Sequence, residues 1–121
     1  MTAVIPSISH VEWLVTDLTR SVAFLQGLFG WEFTVYSRHY RLYTPAQGTA
    51  VGLLEVAQVV PSQATLVHVQ IQNLAQSLQT AMTLGAKIAT PPTVVPGHGR
   101  YAQVTDPDGN LIGLFEADPT V

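Results

Sequence analysis

His10, Glu12 and His68 are the side chains whose types and positions best suit chemistry. His10 and Glu12 stand two residues apart in a run, Ser9 to Val15, that alternates as a β-strand does, so both leave the same face. Histidine exchanges protons near neutral pH and a nearby carboxylate tunes it, so His10 with Glu12 or His68 could serve as an acid–base pair. Arg100 and Tyr101 could anchor an anion or a ring; they follow the loop Pro96-Gly97-His98-Gly99, on which His98 reads as an exposed loop histidine. The chain has 0 cysteines, which excludes disulfides, thiolate metal sites and a cysteine nucleophile. Five Lys and Arg against 8 Asp and Glu give a net charge of −3 with no basic cluster, so nucleic acid is excluded as a partner. No segment is long and apolar enough to span a bilayer, and Met1 to Ser7 lacks the basic start of a signal peptide, so no membrane partner is expected and the cytoplasm is the expected compartment.

The elements that must position these residues come in two copies. Asp17-Leu18-Thr19-Arg20-Ser21-Val22 matches Asn73-Leu74-Ala75-Gln76-Ser77-Leu78 at an offset of 56 residues, and Gly48 to Val56 matches Gly109 to Ala117 at an offset of 61. Each copy reads as strand, helix, three strands. In the first, residues 9–15 form a strand, Asp17 caps a helix carrying Leu18, Val22, Leu25 and Phe29, Gly30 stops it, and strands follow at 31–38, 40–44 and 50–56. In the second, Val67, Val69 and Ile71 mark the strand, Asn73 caps the helix, Gly85 stops it, and strands follow at 87–90, 100–105 and 111–117. The fold class is therefore α+β: one domain spanning 1–121, with two β-α-β-β-β modules, about 8–60 and about 61–118, facing each other around a cleft. Hydrophobic residues make up 47% of the chain and charged residues 11%, a surplus of apolar surface that a homodimer would bury.

Leu14-Val15-Thr16-Asp17-Leu18, Leu28-Phe29-Gly30-Trp31-Glu32-Phe33 and Asp106-Pro107-Asp108-Gly109-Asn110, taken with the duplication, resemble the vicinal oxygen chelate superfamily of glyoxalases, bleomycin-resistance proteins and extradiol dioxygenases. Pro91 to Tyr101 is similar to a branch of lactoylglutathione-lyase-related predicted enzymes. The resemblance implies the glyoxalase/bleomycin resistance/dihydroxybiphenyl dioxygenase fold and, in metal-dependent members, a cation held by His or Glu from the first and last strands of each unit. Here the last-strand triplets are Val51-Gly52-Leu53 and Ile112-Gly113-Leu114; His10 matches a ligand position and its counterpart is Leu66. Glycine carries no donor, so no metal or other cofactor is expected. A displaced divalent site at His10, Glu12 and His68 is the alternative. Glu55 and Glu116 fall on the opposite face and read as solvated strand ends.

The expected function is thus a small-molecule-binding member of the superfamily with a degenerate metal site, its organic ligand held in the inter-sheet cleft by His10, Glu12, Gly52, Leu54, Leu66, His68, Arg100, Tyr101, Gly113 and Phe115. The two glycines are expected to open the space that the ligand fills. The alternative is a lyase, isomerase or dioxygenase-like enzyme with His10, Glu12 and His68 as catalytic candidates. Which ligand, and whether any reaction is catalysed, the sequence leaves open.

Overall fold

The computed structural model describes residues 4–105 and 109–121. Asp106, Pro107 and Asp108 of the expected turn lie outside the described residues. The chain is a mixed α+β protein that divides into two compact units, one of residues 10–66 and one of residues 67–121 together with the amino-terminal residues up to Ser9.

In the first unit the order is β1 (Ser7–Val15, whose last six residues belong here), α1 (Leu18–Phe29), β2 (Thr34–Ser37), β3 (Tyr40–Tyr43) and β4 (Ala50–Glu55). β1 runs parallel to β4, pairing Glu12 with Gly52 and Leu14 with Leu54; β3 lies antiparallel to β4 and β2 to β3. Asp17 caps α1 as expected, accepting the Arg20 N–H at 3.0 Å, and Gly30 ends it in the left-handed region at φ 74°. Trp13 and Val15 leave β1 toward α1, where Leu18, Leu25 and Leu53 form the core with Val22, Trp31 and Phe33. Leu53 is completely buried, a gain of about 1.5–3 kcal/mol over an exposed leucine. Two expectations need correction. The second strand starts at Thr34, because Trp31 and Phe33 leave the strand path to pack under α1, Trp31 stacking on Tyr43 at 4.9 Å. Phe29, spaced for the core, is 54% exposed at the end of α1 and leans on Trp31 instead.

The second unit repeats the topology with β5 (Thr65–Gln70), α2 (Leu74–Thr83), β6 (Lys87–Val95), β7 (Gly99–Thr105) and β8 (Leu111–Ala117). β5 is parallel to β8, with His68 opposite Gly113, and β7 is antiparallel to both β8 and β6. Leu74 and Leu78 of α2 pack on Ile71, Ala102 and Val104, with Val69, Ile112 and Leu114 around them. Asn73 accepts the Gln76 N–H at 3.1 Å, and Gly85, just past the helix, has φ 102°. β6 extends to Val95, five residues beyond the expected end. It is the edge strand of this unit, where Pro91 and Pro92 lose few ladder bonds, and its register shifts between Ile88 and Thr90 and again before Thr93. Among the described residues no helix is long and apolar enough to cross a membrane.

Candidate functional site

Alternation along β1 sends His10, Glu12 and Leu14 to the face opposite α1. On that face Tyr40 of β3 reaches across β4 and its hydroxyl donates a hydrogen bond to the Glu12 carboxylate. The ring lies over Gly52: a Cβ on that glycine would stand 2.5 Å from the Tyr40 Cζ. Burial pushes the Glu12 carboxyl above its ordinary value, and the Tyr40 hydroxyl pulls partly the other way. Burial and the adjacent Glu12 carboxylate push the Tyr40 phenol far above its usual range, so it remains a neutral donor. Burial holds the His10 imidazole below its ordinary value, which favours the neutral ring. Leu54, half-buried, pairs across β1 with Leu14.

The second unit carries the matching arrangement with a different polar residue. His68, only 4% exposed, lies over Gly113, and a Cβ there would stand 2.6 Å from its Cγ and 2.7 Å from its Nε2. The Tyr101 ring meets the His68 ring edge-on, centroids 6.1 Å apart. Phe115 is opposite Tyr101 in the β7–β8 ladder. Leu66 is a half-buried residue of β5.

Tyr40 is the residue that the sequence reading missed. Tyr101 follows Tyr40 by 61 residues, as Gly113 follows Gly52, and His68 follows Glu12 by 56. Each unit therefore sets a tyrosine and one polar residue beside a glycine. The glycines do not open space; the Tyr40 and His68 rings occupy it.

Arg100 also departs from expectation. It donates to Glu116 and Asp118, both at 3.2 Å, and the other Glu116 oxygen accepts the Leu74 N–H at 3.0 Å. The arginine thus braces the start of α2, and alternation puts it on the other face of β7 from Tyr101. Glu116, expected as a solvated strand end, caps a helix, whereas Glu55 pairs with the exposed His39 at 3.0 Å. Glu116→Ala should lower stability by about 1–2 kcal/mol, the usual cost of a lost cap, measured by urea unfolding. Unchanged stability would show that water replaces the carboxylate. His98 sits in the β6–β7 turn with its N–H on the Val95 carbonyl and its carbonyl accepting from Asp118.

Positions 52 and 113 give a divalent cation no donor atom, and the rings above them leave no room for a carboxylate introduced there. Among the described residues no three His, Cys, Asp or Glu side chains are grouped to hold a metal ion. This donor set does not fit the cation that the resemblance implies.

Duplicated β-α-β-β-β units with polar residues on the helix-free face define a class, and the sequence agrees with it. The model of the Glyoxalase/Bleomycin resistance protein/Dioxygenase superfamily matches residues 7–114, and the chain belongs to that superfamily. No curated protein sequence is significantly similar to this one. Among solved structures, methylmalonyl-CoA epimerase from Mycobacterium tuberculosis shares the fold at TM-score 0.72 and 15% identity, over 93% of this chain and 88% of that one. Homoprotocatechuate 2,3-dioxygenase from Brevibacterium fuscum matches at TM-score 0.73 and 18% identity, over 94% of this chain and 37% of that one. The Mn(II)-bound glyoxalase from Novosphingobium aromaticivorans matches at TM-score 0.67 and 21% identity, over 93% and 39%. At these identities the likeness is one of fold.

Proposed function

We propose that the protein binds a small organic molecule on the helix-free face of its sheets and does so without a resident divalent cation. One observation carries this reading: Gly52 and Gly113 stand where the resemblance leads one to expect carboxylates, and each is roofed by an aromatic or imidazole ring. A face so built offers rings, aliphatic neighbours such as Leu54 and Phe115, and hydrogen-bonding groups, which suits a largely apolar ligand with a few polar atoms. Native mass spectrometry of protein purified from its own host tests it, with the expected result a retained organic molecule and no metal. Zn²⁺, Mn²⁺ and Ni²⁺ should likewise leave the melting temperature unchanged, because a ligand that binds only the native state must raise it. A retained metal, or stabilisation by one of these ions that His68→Ala or Glu12→Ala abolishes, would overturn the proposal.

The Glu12–Tyr40 pair favours a second reading, catalysis. A carboxyl group held above its ordinary value by burial is suited to give and take a proton near neutral pH. Conversion of the retained molecule during incubation, lost in Glu12→Gln while binding persists, would select this reading over simple binding.

A further inference from the structure

The two helices, equivalent by duplication, present different surfaces. α1 turns Leu18, Val22 and Leu25 to its core, which leaves Ala23, Phe24, Gly27 and Leu28 on the outer side. Phe24 is 65% and Leu28 59% exposed. At the corresponding outer positions of α2, 56 residues on, stand Gln79, Thr80, Thr83 and Leu84; the first three are exposed and polar, and only Leu84 remains apolar. α2 thus shows what water requires of this helix position, and α1 does not meet it. Two phenylalanines, Phe24 and Phe29, each more than half exposed, together with Leu28 leave on the order of 300 Å² of apolar side chain in water on one 12-residue helix.

We infer that α1 is the surface through which two copies of this chain pair. The character of the face selects the occupant. Arg20 is the one charged residue of α1, and its guanidinium is turned back to donate to Thr16 at 3.0 Å. An anionic membrane or nucleic acid would need a row of cations, and a charged peptide would need charges of opposite sign; α1 offers neither. A second α1 needs no complementary charge and introduces no repulsion, and the same patch on both partners makes a closed two-fold contact. A stable dimer buries roughly 800 Å² per partner, of which this patch supplies an apolar centre, with Thr19, Arg20 and Gln26 available as a polar rim.

Sedimentation velocity at about 10–100 µM tests the inference, with the wild-type chain expected as a dimer. Phe24→Thr with Leu28→Gln gives α1 the polar character of α2 and should raise the dimer dissociation constant about 100-fold, with an unchanged far-ultraviolet circular dichroism spectrum. Because the chain has 0 cysteines, Gly27→Cys and Gln79→Cys each introduce a lone thiol, on α1 and at the equivalent of Ala23 on α2. Under oxidation the first should form a disulfide-linked dimer and the second should not. A monomeric wild-type chain would overturn the inference, as would a dimer that both substitutions leave intact. Equal cross-linking of the two cysteine variants would overturn it as well.

Discussion

Gly113→Ala should destabilise the protein by about 2–4 kcal/mol, a larger loss than adding one methyl group to a strand ordinarily brings. The added Cβ would stand 2.6 Å from the His68 Cγ, an atom at the root of the ring that a small rotation of the imidazole does not move away. The parallel ladder fixes His68 opposite Gly113, so the backbone cannot yield without disturbing the neighbouring pairs Val69–Leu114 and Gln70–Phe115. His68 would have to leave a position in which it is 4% exposed, and a buried polar ring that moves must find new partners. Urea denaturation should show the loss, and Gly113→Ala with His68→Ala should recover at least about 1 kcal/mol of it through the coupling between contacting residues. If Gly113→Ala alone is neutral, or if the two losses simply add, His68 does not depend on the glycine.

This prediction rests on a fact that the sequence shows only in part. Gly52 and Gly113 are visible as repeat-related glycines, and the missing carboxylates follow from them. What fills the space does not follow, because a glycine records the side chain it lacks and not the neighbour that covers it. Tyr40 comes from the next strand but one, and its reach across β4 depends on the β3–β4 register. The repeat held the signal nonetheless, since Tyr40 and Tyr101 keep the offset of the glycines. Local chemistry fared better. Asp17 and Asn73 cap the helices as their types require, and β8 begins and ends where its apolar run does. The misread ends have a common cause: packing overrides pattern at Trp31 and Phe33, and an edge position lets β6 run through two prolines. Arg100 was misjudged because its carboxylate partners stand 16 and 18 residues further along, on β8 and just beyond it.

Tyr40→Phe should cost about 1–3 kcal/mol at about pH 8 and distinctly less at about pH 4, because its hydroxyl donates to a carboxylate in the first case and to a carboxyl group in the second. The sign follows from the proton balance. Burial raises the Glu12 pKa in the folded chain above that of the unfolded chain, so over the interval between the two values the folded state holds more protons, and stability falls as pH rises through that interval. The Tyr40 hydroxyl favours the ionised carboxylate and limits the rise. Removing it moves the folded value further up, and the decline in stability then continues to higher pH than in the wild-type chain. Glu12→Gln removes the titrating group and should flatten the profile over the same range while leaving the amide oxygen to accept from Tyr40. Thermal unfolding followed from about pH 4 to about pH 8 measures all three. An equal loss for Tyr40→Phe at both ends would mean that its ring packing over Gly52, and not its bond to Glu12, holds this face together. A pH-dependent loss would make Tyr40 the residue that sets how readily Glu12 takes up a proton. Any ligand or substrate that meets that carboxyl group would then meet a protonation state governed from β3.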